Sequence, residues 1–361
     1  MVASTVKKLL RAGDWLATPL NAARYLETIN PLWSDHGRGR VERLIQETPD
    51  TVTLVIRANG AWAGGEAGQY VQLGLDIDGV RYWRCYSLAS PVQPGSREFS
   101  VTVNRLDGGR MSTYINDCLR AGDLVHLKAT AGDFVLPAQR DDQKLLFISA
   151  GSGVTPVMGM LRQLIAERSG ADVVMLHFSP DYAHCIFHDE LRASNSEQRR
   201  IHLAVTREDA RDGDLAGHFS ADMLEQVCPD WRSRQAYVCG PSSLMSAVSE
   251  LFLGAGLSSQ LKQEAFVLKR AEVPEGAGGK VGFVVAGKQV DADGKTSLLE
   301  VAEGAGLTPE HGCRMGICCG CLATLKEGQV RDLNTGEVFG ESGEKVRICV
   351  CAAAGDVSLE L

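Results

Sequence analysis

The stretch "CRMGICCGC", residues 313–321, places four cysteines within nine positions of a 361-residue chain. Cys313, Cys318 and Cys321 follow the pattern C-x4-C-x2-C, a known ligand spacing for a [2Fe–2S] cluster. Zinc is the alternative, but structural zinc sites usually combine two C-x2-C pairs, and this stretch contains only one. The spacing therefore favours an iron–sulfur cluster.

A cluster of this type needs a fourth thiolate, and "RICVCAAAGDV" offers both Cys349 and Cys351. The glycines interleaved with the first cysteines are Gly312, Gly316 and Gly320. Glycine lets the backbone wrap closely around a cofactor and direct its amides at sulfur atoms. These residues predict a cluster-binding loop near the end of the chain.

Composition sets the limits for the rest of the chain. The formal net charge is −8, with 45 acidic and 37 basic residues, which argues against a nucleic acid as the main partner. No apolar run approaches the roughly 18 residues of a membrane span, and the first 20 residues lack the features of a secretory signal. Eleven cysteines without an evenly spaced framework suit a reducing compartment, so we expect a cytoplasmic protein.

Changes in the pattern of apolar and polar residues along the chain predict a multi-domain protein. Short alternating strands bounded by turn residues are typical of an antiparallel β-barrel, and nearly continuous apolar strands separated by helices are typical of a doubly wound parallel sheet. We predict a helical N-terminal extension at 1–37, a β-barrel domain at 38–138, an α/β domain at 139–267, a Gly- and Pro-rich linker at 268–279 and a small cysteine-rich domain at 280–361.

The last of these domains resembles a plant-type ferredoxin, which implies a β-grasp fold. In that family the fourth cysteine precedes an acidic residue by seven positions, as Cys349 precedes Asp356 here. The resemblance implies Cys313, Cys318, Cys321 and Cys349 as the metal ligands. Cys319 and Cys351 are then non-ligating thiols, small enough to fill buried space.

A [2Fe–2S] cluster carries single electrons, whereas a nicotinamide delivers a hydride, so a flavin is expected between them. The strand "WRCYSLAS" contains Arg84, Tyr86 and Ser87, which resemble the R-x-Y-[ST] flavin motif of the ferredoxin–NADP reductase superfamily. That resemblance implies FAD, with Tyr86 stacked on the ring, the Ser87 hydroxyl near the flavin N5 edge as a catalytic group, and Arg84 on the pyrophosphate.

Next comes "NRLDGGRMSTYI", in which Gly108 precedes a predicted helix start. The amides at a helix N-terminus bind phosphate. In the superfamily this G-G-x-x-[ST] element holds the flavin pyrophosphate, which implies a cofactor-binding role for Gly109, Arg110, Met111 and Ser112.

Two further motifs predict the nicotinamide site. "FISAGSGVTPVMGML" follows a strand and opens a helix, where Gly151 and Gly153 make room for a dinucleotide pyrophosphate. In the superfamily its Thr155 reaches the flavin edge, while Pro156 suits the first helical turn. "YVCGPSSLM" supplies the superfamily's C-G-P element, Cys239, Gly240 and Pro241, beside the nicotinamide. Cys239 is the second predicted catalytic residue, because an uncharged thiol supports hydride transfer without trapping charge.

Phe266 matches the aromatic residue that covers the flavin face in phthalate-dioxygenase-reductase-like proteins; packing on the barrel is the alternative.

Thr206 and Arg207 end a strand where NADP-specific members hold the 2′-phosphate, whereas Asp181 would suit the free ribose of NADH. We expect NADPH, with NADH as the alternative.

The domain order is that of bacterial reductases that serve oxygenases, hydroxylases and acyl desaturases. The segment "ARYLETINPLWS" resembles the reductase partners of stearoyl-CoA desaturases, which implies fatty acid desaturation and peripheral proximity to a membrane through the partner. We therefore predict an NAD(P)H:acceptor oxidoreductase that passes electrons through FAD and a [2Fe–2S] cluster to a desaturase, hydroxylase or oxygenase. The alternative is a redox-sensing flavin and iron–sulfur protein without a catalytic acceptor.

Overall fold

The computed structural model describes residues 29–361 except for 94, 267–272, 275, 312–315 and 317–319. The chain divides into two compact units, Met1–Phe266 and Val267–Leu361. Most of the predicted N-terminal extension, residues 1–28, lies outside the described residues, and so does much of the predicted linker. None of the helices among the described residues combines the length and apolar character needed to cross a membrane.

A six-stranded antiparallel sheet opens the first unit, in the order β4-β3-β6-β1-β2-β5. Its strands are β1 Arg38–Thr48, β2 Thr51–Ala58, β3 Tyr70–Ile77, β4 Val80–Ser87, β5 Glu98–Asn104 and β6 Leu124–Ala131, and helix α1 is Arg110–Asp117. A bridge between Leu88 and Val101 joins the two ends of the sheet into a barrel. Alternate side chains of these strands fill an apolar core, and Met111 and Ile115 of α1 pack into it. The predicted barrel is confirmed.

A six-stranded parallel sheet follows, in the order β10-β9-β8-β7-β11-β12. Its strands are β7 Lys144–Ala150, β8 Asp172–Ser179, β9 Arg199–Val205, β10 Leu215–Ala216, β11 Gln235–Cys239 and β12 Leu261–Glu264. Its helices are α2 Val154–Ala166, α3 His188–Ala193, α4 Ala221–Val227 and α5 Ser242–Gly254. The strands are buried on both faces, which explains why they read as continuous apolar runs. The predicted doubly wound domain is confirmed.

Close backbone packing joins the barrel to the parallel sheet. A Cβ on Gly159 of α2 would lie 2.2 Å from the carbonyl oxygen of Leu88, just after β4. Tyr237 of β11 donates its hydroxyl hydrogen to the carbonyl of Val135 at 3.1 Å. Arg162 of α2 donates to the carbonyl of Ala89. The end of β4 is thereby held against the nucleotide-binding half.

The second unit is a mixed sheet in the order β14-β13-β18-β15-β16, with β17 paired to β15. Its elements are β13 Gly279–Phe283, β14 Lys288–Ala292, α6 Leu298–Gly304, β15 Leu322–Asp332, β16 Val338–Phe339, β17 Lys345–Arg347 and β18 Cys351–Leu359. Ser297 and Glu300 form a capping box that starts α6, whose apolar face packs on the sheet. The ferredoxin-type fold expected from the cysteines is confirmed.

Candidate functional site

The predicted nicotinamide motifs meet where the strand order of the parallel sheet reverses. β7 leads to α2 and β8 on one side, whereas β11 pairs with it on the other side, with Cys239 opposite Ser149. Ligands of such sheets bind beyond the carboxyl ends of the strands at this switch point. A Cβ on Gly153 would lie 2.2 Å from the Cys239 carbonyl oxygen, so only glycine allows this contact. The structure therefore brings Gly151–Gly153 together with the C-G-P element.

An acidic residue that the sequence analysis missed lies in the same place. Glu264 ends β12 directly opposite Cys239 in the parallel register. Its Oε2 is buried and has no hydrogen-bond partner among the described residues, and the same holds for Oγ of Ser87 at the end of β4. Ser87 and Glu264 lie near each other, and the Ser87 hydroxyl lowers the pKa of Glu264, although neither of these two atoms has a hydrogen-bond partner of normal geometry.

Burial controls the protonation of this group of residues. Burial, with help from the nearby Asp133 charge, raises the pKa of Glu264 to about 8. Burial also raises the pKa of the fully enclosed Cys239 thiol well above its usual value, and the Glu264 carboxylate adds to that effect. At neutral pH the site thus presents a hydroxyl, a neutral thiol and a predominantly protonated carboxyl.

The flavin motif lies on β4, which continues to Ser87. Tyr86 is half-buried against the barrel core, and burial raises its pKa. Arg84 donates to the carbonyl of Trp83 at 2.8 Å. The unpartnered, buried hydroxyl of Ser87 is what a flavin edge would satisfy, so the residues present fit the cofactor.

The predicted pyrophosphate helix begins as expected. Gly109 is the N-cap of α1, and the first intrahelical bond runs from the Thr113 amide to the Gly109 carbonyl. The amides of residues 110–112 therefore have no acceptor within the helix. The Ser112 hydroxyl closes the turn by accepting from the Leu106 amide and donating to the Gly109 carbonyl. The Arg110 side chain pairs with Asp78 at 2.7 Å, so its amide is the group directed at this end.

Three other predicted residues lie close to the switch point. Thr155 is buried and donates its hydroxyl hydrogen to the carbonyl of Ser152 at 3.0 Å, which closes the turn before α2. Pro156 is buried in the first turn of α2. Phe266 is half-buried and packs against the core beneath α2, which also includes Cys239.

The candidate residues for coenzyme selection follow β8 and β9. The Thr206 amide donates to the Ser179 carbonyl at 3.0 Å, and the Arg207 amide donates to the Pro180 carbonyl at 2.8 Å. The Arg207 side chain is exposed and forms no ion pair with any described residue. Asp181 is engaged by His184, whose Nδ1 lies 2.7 Å from its carboxylate and holds the pKa of Asp181 low. The Arg207 side chain is therefore accessible to an anion, whereas the Asp181 carboxylate already interacts with His184.

The second unit contains the described part of the cysteine cluster. Cys313 and Cys318 lie outside the described residues, whereas Cys321 and Cys349 are buried. The amide of Gly316, from the loop between the first two cysteines, points at the Cys349 sulfur at 3.3 Å. Cys351 is fully buried within β18, where it pairs with Asp332. An amide directed at sulfur fits the thiolate ligand predicted at Cys349, but the Arg347 backbone also hydrogen-bonds to the Cys351 thiol, so this contact does not distinguish the two cysteines.

Comparisons with known proteins agree with this architecture. Family models match an oxidoreductase FAD-binding domain at residues 38–136, an oxidoreductase NAD-binding domain at 147–250 and a 2Fe-2S iron–sulfur cluster binding domain at 283–354. An NADPH oxidoreductase of Mycobacterium tuberculosis is 41% identical, over 96% of this chain and 90% of its own length. The glycine betaine monooxygenase reductase subunit of Pseudomonas aeruginosa is 30% identical, over 89% of this chain and 94% of its own.

Among solved structures, phthalate dioxygenase reductase matches with a TM-score of 0.61 and 24% identity, covering 90% of this chain and 97% of that one, which shows the shared fold. The three domains, their cofactor classes and these full-length relatives agree with one another. The chain belongs to the ferredoxin–NADP reductase superfamily, in the group of oxidoreductases that carry FAD- and NAD-binding domains followed by a [2Fe–2S] ferredoxin domain.

Proposed function

We propose that this protein oxidises NADPH and delivers the electrons singly, through FAD and a [2Fe–2S] cluster, to an oxygenase-type partner. The observation that carries the proposal is the convergence of Ser87, Cys239 and Glu264 at the switch point, where two buried polar atoms have no partner among the described residues. When bound, FAD supplies the conversion of a two-electron donor into one-electron transfers, and the cluster supplies one-electron carriage.

The protein's own residues prepare the place where the two rings would meet. Ser87 offers a hydrogen-bond donor, Cys239 a neutral thiol, and Glu264 a carboxyl that retains its proton near neutral pH. Their burial excludes water, which protects a hydride from loss and strengthens each hydrogen bond. Gly153 allows the dinucleotide loop to lie against the Cys239 backbone, which favours a close approach of the coenzyme.

Three observations support NADPH over NADH. Arg207 is exposed with no carboxylate partner among the described residues, and Asp181 is held by His184. The 41% identical relative is named an NADPH oxidoreductase. We expect Arg207→Ala to raise the KM for NADPH by about tenfold to a hundredfold, since a charge-assisted bond to a phosphate is lost, with little change for NADH.

The matched control is Arg232→Ala, which removes an exposed guanidinium that pairs with Glu225 near the opposite ends of the strands. Steady-state reduction of cytochrome c with each coenzyme measures both variants. Equal effects on the two coenzymes, or no effect of Arg207→Ala, would contradict the assignment.

The relatives favour an oxygenase as the partner. The glycine betaine monooxygenase and stachydrine N-demethylase reductase subunits are both 30% identical over 89% of this chain. The desaturase and the membrane proximity suggested by the N-terminal segment have no support from these relatives. Stopped-flow mixing of the NADPH-reduced protein with purified oxygenase, hydroxylase and desaturase components from the same cell would separate these partners. Oxidation of the protein by the oxygenase component alone is the expected result, and no turnover with any acceptor would favour the redox sensor.

A further inference from the structure

The second unit places one cation directly on the predicted cluster loop. Arg347 ends β17, two residues before Cys349, and its Nη1 donates to the carbonyl oxygen of Gly316 at 2.8 Å. Gly316 belongs to the loop between Cys313 and Cys318. A side chain on a strand therefore holds a residue that lies 31 positions earlier in the sequence.

Gly316 is itself fixed against the sulfur of Cys349. Its amide donates to Cys349 Sγ at 3.3 Å, while its carbonyl accepts from Arg347. Its φ is +72°, and a Cβ at this position would lie 2.7 Å from a methyl group of Val350, so only glycine suits the position. Arg347 is thus joined to the Cys349 sulfur through two hydrogen bonds to a single residue.

A buried acid accompanies the cation. Asp332 at the end of β15 has a side chain only 9% exposed, and its Oδ2 lies 3.5 Å from Arg347 Nη2. Its Oδ1 accepts from the amide of Asn334 at 2.8 Å, which fixes the carboxylate in place. The Arg347 side chain, which is 44% exposed, and the buried carboxylate of Asp332 therefore lie together beside Gly316.

We propose that Arg347 is a positioning residue that holds Gly316 against Cys349 and, with Asp332 acting in the opposite direction, sets the reduction potential of the cluster. The inference rests on the proposed function, because it takes Cys349 as a ligand. One-electron reduction adds one negative charge at the cysteine cluster, so a fixed cation favours the reduced form and a fixed anion disfavours it. The Arg347 side chain reaches both the Gly316 carbonyl and Asp332, and its positive charge is the property that the potential would report.

The experiment is a redox titration of the whole flavin-loaded protein, with the cluster followed by electron paramagnetic resonance and the flavin by absorbance. We expect Arg347→Gln to make cluster reduction about tenfold less favourable, or ~59 mV lower for a one-electron couple. Arg347→Lys keeps the charge and should stay within about threefold of the wild type. Asp332→Asn keeps the acceptor for Asn334 and should shift the potential in the opposite direction.

The matched control is Lys345→Gln, because Lys345 is an exposed cation of the same strand, as Arg347 is, but is not bonded to Gly316. It should shift the potential much less than Arg347→Gln does. The rate of flavin reduction by NADPH should be unchanged in all variants, since Arg347 belongs to a separate unit from the hydride site.

The outcomes separate the inference from the proposed function. A wild-type protein with iron but no [2Fe–2S] signal would remove both. A wild-type signal with the same potential in Arg347→Gln, or an equal loss in Arg347→Lys, would remove only the role assigned to Arg347. If Arg347→Gln does not retain its iron and sulfide, Asp332→Asn decides, because the absence of an upward shift would overturn the inference.

Discussion

The two ends of the parallel sheet differ in how their polar groups are satisfied. At the amino ends of the strands, the buried Arg234 donates from all three guanidinium nitrogens, to Asp230, to Asp172 and to the carbonyl of Leu145. Lys144 and Arg200 complete the ion pairs of the same two aspartates. Each of these charges has a partner of opposite sign, although Nε of Arg200 is buried without a hydrogen-bond partner among the described residues.

At the carboxyl ends, buried polar atoms lack partners among the described residues. Glu264 Oε2 and Ser87 Oγ have none, and neither has Nε2 of His177, whose other ring nitrogen lies 2.9 Å from Ser149 Oγ. An unsatisfied buried group costs stability, and such groups persist where a ligand completes them. The ion pairs at the amino ends therefore stabilise the fold, whereas Glu264, Ser87 and His177 leave polar atoms near the carboxyl ends that a ligand can complete.

The largest effect is expected from Arg234→Met, which removes the central cation of the amino end. Two carboxylates and two backbone carbonyls lose their shared donor, so the free energy of unfolding should fall by about 3–5 kcal/mol. Denaturant unfolding followed by tryptophan fluorescence measures it. Arg232→Ala, which breaks an exposed pair with Glu225, should leave the free energy of unfolding close to that of the wild type. Equal losses in the two variants would contradict the comparison.

Glu264→Gln tests the carboxyl ends of the strands through the pH dependence of the free energy of unfolding. Because the folded-state pKa of Glu264 is about 8 and its model value is 4.5, the folded protein keeps a proton that the unfolded chain has lost between these values. Wild-type stability should therefore fall, relative to the variant, by up to about 1.4 kcal/mol per pH unit as the pH rises through this window. Urea titrations from pH 5 to 8 measure it. Asp133→Asn should lower the upper limit of the window, since its charge raises the pKa of Glu264.

His177→Asn tests the same end of the sheet, and here the stability is expected to change with pH in the opposite direction. Burial lowers the pKa of His177 to about 4 from 6.5, so the unfolded chain takes up a proton before the folded protein does. Wild-type stability should be complete above pH 6.5 and should fall by about 3 kcal/mol as the pH drops to 4, whereas the variant lacks this loss. The measurement is the melting temperature of the wild type and of His177→Asn as a function of pH. Identical pH dependence in the two proteins would show that the His177 ring is not held neutral.

The smallest effect is expected from Gly153→Ala, which adds a single methyl group and leaves every hydrogen bond and ion pair in place. The added Cβ would meet the Cys239 carbonyl at 2.2 Å, so we expect a cost of about 1–3 kcal/mol and a raised KM for NADPH. Gly170→Ala is the control, since a Cβ there meets nothing within 4 Å. A KM for NADPH unchanged by Gly153→Ala would show that the coenzyme does not use this contact.

The sequence predicted the fold class and the cofactor classes, because those signals are local. Each of these signals lies within about 15 residues of chain: the turn at Gly151–Gly153, the spacing of the first cysteines, and the pattern of apolar residues in each strand. Glu264 was missed because only the pairing of β12 with β11 places it opposite Cys239, 25 positions earlier. Arg347 was missed for the same reason, since a hydrogen bond across 31 positions gives it meaning.

The contact between Gly159 and the Leu88 carbonyl has a consequence for building chimeras from this family. At this contact the backbone after β4 lies directly against helix α2, with no side chain between them that could adjust. Exchanging the barrel alone for that of a relative would therefore misalign this backbone and the helix. Recombination after Phe266, where the first unit ends, leaves this contact intact. Shuffled versions of this enzyme should therefore exchange the ferredoxin module as one block and keep the two halves before it as another.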